Sequence, residues 1–143
     1  MAIQNTDKKP PKGPVKFSIT LSEEQKASKQ AILHHPYNFI VGKAGSGKTM
    51  LACQVALDMF FKRMINKIME PWLVPIRSNM RKVYNKPAIL EKMETDESIE
   101  LVSLAHFRGR TFENSVVIVD EFQNLTRSQF RMTLGRIGKG STM

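Results

Sequence analysis

Only one cysteine, Cys53, stands among 143 residues. It excludes an intramolecular disulfide and any cysteine-rich metal site, and such usage fits a reducing compartment. No apolar run approaches the roughly 18–20 residues that cross a bilayer. The first ten residues also lack the apolar core of a signal peptide. These absences predict a cytoplasmic chain with no membrane partner. Acidic residues are scarce: 13 Asp plus Glu stand against 22 Lys plus Arg, a net charge of +9. A chain of that sign is drawn to polyanions such as nucleic acid or nucleotide. Hydrophobic residues at 41% and charged residues at 24% are ordinary for a globular chain. Disorder throughout is therefore excluded, and the length is that of one domain.

Residues 1–16 hold three prolines, four lysines and one glycine. They predict a basic, flexible leader with too little apolar surface to pack, followed by a single domain over 17–143. Within it, Ser22 and Gln25 have capping-box spacing, so a helix opens there and stops at His34-His35-Pro36. Tyr37–Val41 is a short aromatic and β-branched run, which predicts a strand. A strongly apolar helix runs from Lys48 to about Met64. Another starts at Glu70-Pro71-Trp72 and carries Ile76, Met80, Val83 and Tyr84 at the 3.6-residue period. Ala88–Met93 reads as a short helix and Ile99–Val102 as a strand. Val116–Val119 is a stronger strand, its unbroken β-branched run suited to burial on both faces. Thr126 and Gln129 cap a last helix running to about Ile137, with Gly138-Lys139-Gly140 as its terminator. This alternation predicts a three-layer α/β sandwich with a parallel sheet.

Two motifs carry chemistry. Gly42-Lys43-Ala44-Gly45-Ser46-Gly47-Lys48-Thr49 matches G-x-x-x-x-G-K-[ST] at every position, between a predicted strand and a predicted helix. Its glycines let backbone N–H groups converge on phosphates, and the helix N-terminus adds its positive end. Lys48 reaches the β- and γ-phosphates, and the Thr49 hydroxyl ligates Mg²⁺. Val116–Val119 followed by Asp120-Glu121 has the Walker B form: Asp120 for Mg²⁺, Glu121 to orient or deprotonate the attacking water. An NTPase needs that second carboxylate, whereas a small-molecule kinase must exclude water. Arg108 and Arg110 flank Gly109 between two predicted strands, and arginine forks match phosphate oxygens.

The Gly42–Thr49 loop, the segment Leu104–Asn114 with its Arg108-Gly109-Arg110-Thr111, and Asp120-Glu121-Phe122-Gln123-Asn124 together resemble the PhoH-like proteins. These are phosphate-starvation-inducible P-loop ATPases, frequent in bacteria and in phages. A phage-encoded member would work in its host's cytoplasm. The resemblance runs from about Leu21 to Met143. It implies a P-loop NTPase core of the RecA or helicase type and ATP hydrolysis with Mg²⁺. It also implies work on nucleic acid, RNA ahead of DNA, by a homo-oligomer such as a hexameric ring. By the family's likeness to superfamily 1 helicase cores, Gln25 would read the adenine edge and Gln123 would couple the γ-phosphate to movement. The family pattern has a further strand and loop where Lys67-Ile68 passes directly into Met69-Glu70-Pro71-Trp72. It also runs on past Ser141-Thr142-Met143 into a sensor strand ending in Thr-Gly-Asp. An internal loop near 68–70 and that strand are therefore expected to be missing here. Two other readings compete: a P-loop kinase acting on a small molecule, and a nucleotide-binding switch that does not turn over.

Several residues read as structural. Cys53 lies among apolar neighbours and behaves as a small core residue. His34 and His35 lack a carboxylate or cysteine partner nearby and make a poor metal site. His106 sits beside Arg108 without ligand spacing. Met50, Met59, Met64 and Met80 fit apolar helix faces as core filling, and Trp72 reads as a packing residue.

The charge balance yields a first prediction. Removing residues 1–16, with Lys8, Lys9, Lys12 and Lys16, should weaken single-strand binding equally for all base sequences, because a flexible lysine arm meets backbone phosphates. In a salt titration of the parent chain the log–log slope should be about −0.7 per neutralised phosphate. Affinity indifferent to salt would leave the basic charge to solubility alone.

Overall fold

The computed structural model describes residues 15–62, 64–70 and 75–143. Leader residues 1–14 and Trp72 lie outside them. Val15, at the end of the predicted leader, already packs against the core. Ser18 N–H then donates to the Val83 carbonyl at 2.7 Å, and the Phe17 and Tyr84 rings meet 6.1 Å apart.

Helix α1 (Glu23–His34) begins with the predicted capping box: the Ser22 hydroxyl accepts the Gln25 N–H, and the Gln25 amide oxygen accepts the Ser22 N–H. Helix α2 (Lys48–Phe61) follows the glycine loop. Eight of its fourteen residues are buried, so it runs through the core. Strand β1 (Lys67–Glu70) comes next, then α3 (Pro75–Val83), α4 (Pro87–Thr95), β2 (Ile99–Leu101), α5 (Leu104–Phe107), β3 (Ser115–Val117) and α6 (Arg127–Leu134). The strands form one parallel sheet in the order β2-β1-β3. Ile68 pairs with Ile99 on one side and with Val116 on the other.

Side-chain alternation divides the core across this sheet, since successive residues of a strand point to opposite faces. Ile68, Ile99, Val116 and Ile118 pack with α2, α3 and α4. Their neighbours Met69 and Val117 pack on the other face with Val102, Phe107 and Phe112, where Met132 and Ile137 close over them. Both faces are covered, as the unbroken apolar run at 116–119 requires. Apolar burial decides the stability. A fully buried Leu or Val side chain is worth about 1.5–3 kcal/mol, against about 0–1 kcal/mol for an exposed ion pair such as Lys26–Glu23.

The structure departs from the sequence-based expectations at several places, and α2 and β3 end at Phe61 and Val117, short of the expected Met64 and Val119. The central strand β1 falls where a join and the start of a helix were expected. Of its four residues, Lys-Ile-Met-Glu, Lys and Glu disfavour strands, and pairing on both edges forms the strand. Tyr37–Val41, expected as a strand, has no regular secondary structure and lies outside the sheet. Ser141–Met143 lies between it and β3: Val117 N–H donates to Thr142 O at 2.8 Å, and Asn38 N–H to Met143 O at 2.9 Å. Residues 39–41 have no strand beside them among the described residues, so the ladder stops at Asn38. Helix α6 ends at Leu134 with Gly135 as its C-cap, short of Ile137. The chain there turns to pair with Phe112, whose N–H donates to Arg136 O at 2.8 Å. Gly138 permits this close approach, because a Cβ there would sit 2.9 Å from the Phe112 carbonyl oxygen. Met64, expected in the core, is 49% exposed. Cys53, Met59 and Met80 are buried.

Glu100 on β2 receives both arms of the Arg110 guanidinium at 2.7 and 3.2 Å, with Lys67 at 3.5 Å. The Arg110 hydrogen bonds, outweighing partial burial, hold its carboxyl below the usual glutamate value. The unfolded chain therefore takes up this proton first as the medium acidifies. The stabilising contribution is complete above the ordinary glutamate pKa of about 4.3 and drains away as pH falls through the depressed folded value. Urea midpoints should drop between pH 7 and pH 3, and by less in Glu100→Gln, which cannot titrate. Equal acid losses in the two proteins would remove Glu100 from the explanation.

Candidate active site

The loop Gly42–Gly47 links the irregular 37–41 segment to α2. Gly45 and Gly47 adopt φ values of +76° and +82°, in the left-handed region that side-chain-bearing residues avoid. Gly47 is the N-cap of α2 and supplies no side-chain cap. The first-turn N–H groups of a long buried helix thus face outward, where an anion is favoured. Lys48 folds back over the loop and donates to the carbonyls of Gly42 and Lys43, both at 2.8 Å.

Strand β3 delivers the acidic pair to the same place. The Thr49 hydroxyl lies 3.2 Å from each Asp120 carboxylate oxygen, although the two residues are 71 apart in sequence. Asp120 Oδ1 also accepts the Glu121 N–H at 3.0 Å. Glu121 itself sits at φ +51°, a rare conformation for a side-chain-bearing residue, and caps the 3-10 turn Phe122–Asn124. The Gln123 side-chain amide donates to the Glu121 carboxylate.

A cavity of about 530 Å³ opens between the loop and the carboxyl end of β3, lined by Gly42, Ala44, Lys48, Thr49, Asp120, Glu121 and Gln123. Lys43, Gly45, Ser46 and Gly47 complete the loop without lining the cavity. Gln25 reaches the loop from α1, with Nε2 3.2 Å from where a Cβ on Gly47 would stand. The two arginines are not brought here. Arg108 is exposed and forms the C-cap of α5. Arg110 spends its fork on Glu100 and lies 5.2 Å from the Phe112 ring centre.

The apolar wall of the cavity escaped the reading of the sequence. Phe39 stacks edge-on against Phe122 at 5.7 Å and meets Phe130 at 6.0 Å. Phe39 is 56% exposed and Val41 83%. Three separate segments supply the rings, so no linear spacing announces them.

Chemically, the site offers amide donors at a helix terminus, the Lys48 cation held on loop carbonyls, and a hydroxyl beside a carboxylate. Among the described residues no group of three or more His, Cys, Asp or Glu could hold a metal ion. The Thr49–Asp120 pair still fits Mg²⁺, which takes one or two protein oxygens and fills its shell with water and substrate phosphates. No helix among the described residues is long and apolar enough to cross a membrane.

The family described as PhoH-like protein matches residues 19–70 and, overlapping them, 60–143. A PhoH-like protein of Synechocystis sp. is 32% identical over 137 residues, covering 80% of this chain and 42% of the relative. Protein PhoH2 of Bacillus subtilis is 31% identical over 133 residues, 74% of this chain and 30% of that one. A PhoH-like protein of Mycobacterium leprae is 29% identical over 140 residues, 82% of this chain and 40% of that one. The chain therefore spans from under a third to about two fifths of the length of these curated relatives. With the match running across residues 19–143, the chain belongs to the PhoH family.

Proposed function

We propose that this domain has a RecA-type P-loop core, and that it binds ATP and hydrolyses it to ADP and phosphate with Mg²⁺. Family membership points to an ATP-binding P-loop protein. The observation that carries the step to hydrolysis is the meeting of Thr49 and Asp120 at 3.2 Å across the mouth of the Gly42–Thr49 loop, with Glu121 next in the chain.

In this reading the loop amides and the N-terminus of α2 receive the phosphates. Lys48 exchanges the carbonyls of Gly42 and Lys43 for the β- and γ-phosphate oxygens. Thr49 and Asp120 would hold Mg²⁺, which when bound neutralises charge on the phosphates. Glu121 takes a proton from water as the water oxygen bonds to the γ-phosphorus. The bond from that phosphorus to the β–γ bridging oxygen breaks, and ADP leaves carrying the bridging oxygen. Gln123 holds the Glu121 carboxylate in place. Gln25, held against Gly47, would read the adenine edge.

Coupling to nucleic acid, RNA ahead of DNA, draws support from the net charge of +9 and from exposed Arg108. A homo-oligomeric ring rests on the family resemblance.

ATP labelled at the γ-phosphate tests the reading. Release of label as free phosphate supports hydrolysis. Transfer to an organic acceptor would establish a kinase, and retention on ATP a switch. Lys48→Ala should lose both binding and turnover. Glu121→Gln should keep ATP binding and slow turnover about 10²–10⁴-fold, the usual worth of a general base. Parent turnover in both variants would remove these residues from the chemistry. Rates with and without RNA and DNA test the coupling.

A further inference from the structure

Helix α1 is held on α2 at few points. Gln25, Lys29 and Ile32 are spaced four and three residues apart, so they share one face of α1. Ile32 is the one buried side chain of that helix. Lys29 Nζ lies 2.6 Å from Asp58 Oδ2, with the Asp58 side chain only 9% exposed and Lys62 of the same helix 3.0 Å away. At the other end of the face, the Gln25 amide is fixed by its own cap. Its oxygen accepts the Ser22 N–H at 3.0 Å, and Nε2 turns toward Gly47.

Ile32 and the partly buried Leu33 hold the C-terminal end of α1 on the core. The Lys29–Asp58 ion pair between the two helices lies between that anchor and Gln25, and it fixes the roll of the N-terminal half. Burial pushes the Asp58 carboxyl up, yet the lysine contacts outweigh it and keep the group below its ordinary value. The Asp58 carboxylate is therefore ionised at neutral pH. Partly buried pairs of this kind add little net stability compared with apolar replacements, and their better-attested use is to select one arrangement.

We propose that the Lys29–Asp58 pair is a positioning device: by fixing the roll of α1 on α2 it keeps Gln25 against Gly47, and through Gln25 it sets how tightly the nucleoside end of the nucleotide is held. The proposal rests on the nucleotide reading given above. Neither Lys29 nor Asp58 lines the cavity, so the phosphate-handling groups are untouched by their replacement.

The test compares MgATP with magnesium tripolyphosphate, which has phosphates and no nucleoside. Asp58→Asn should raise the Kd for ATP about three- to tenfold, the worth of one hydrogen bond. It should leave the Kd for tripolyphosphate and the kcat at saturating ATP unchanged. Asp58→Glu should restore the parent affinity. Adding Asp58→Asn to Gln25→Ala should cost nothing more, because both act on one contact. Lys29→Met removes the α1 end while Asp58 stays paired with Lys62, and it serves as the second variant if Asp58→Asn fails to fold. Equal weakening of ATP and tripolyphosphate would overturn the proposal, as would a lowered melting temperature with parent ATP affinity. A parent protein that binds neither ligand overturns the nucleotide reading itself, a result distinct from either.

Discussion

Helix α2 is buried along most of its length, yet its first turn opens uncapped beside the cavity, and the rest of the structure is arranged around that contrast. A helix end leaves several N–H groups without intrahelical partners. Ser22 satisfies one of them for α1 and Thr126 one for α6. Gly47 at the start of the long buried α2 supplies none. The cost is offset deeper in the helix, where Leu51, Cys53, Val55, Ala56 and Leu57 are sealed from water.

The sheet answers the same constraint from below. Because α2 covers one face, the strands alternate sharply: Ile68 faces α2 and Met69 faces the opposite side, with Phe107 and Phe112. Parallel strands also carry their ligand-facing ends together, which brings Asp120 to Thr49. The left-handed turn at Glu121 then swings the chain into the 3-10 turn. Phe122 is held there by Phe39 and Phe130. The aromatic cluster therefore ties the phosphate-loop segment to the acidic pair.

Electrostatics divides the cations into two groups. Arg110, Lys29 and Lys62 are taken up by carboxylates that packing has partly enclosed. Lys48 donates to two neutral loop carbonyls, whereas a bond to an anion is stronger than one to a neutral oxygen. The resting position of Lys48 and the shared face of Gln25, Lys29 and Ile32 both place ordinary packing contacts next to the candidate site.

Much of the site was legible in the sequence. Gly42–Thr49 is a local motif whose glycines and charged residues act within one turn of chain, and the two capping boxes act within four residues. The run 116–121 announced a buried strand ending in carboxylates. Linear order could not show that a four-residue segment at 67–70 becomes the central strand, because its stability comes from neighbours on both edges. It also could not show that Tyr37–Val41 stays out of the sheet, or that Arg110 is spent on Glu100 while Arg108 is left exposed. Local hydrogen bonding and steric freedom are properties of adjacent residues, so the sequence by itself determined the loop, the caps and the identity of the acidic pair. Strand pairing, charge pairing and the aromatic wall depend on residues tens of positions apart meeting in space, and those only the tertiary structure decided.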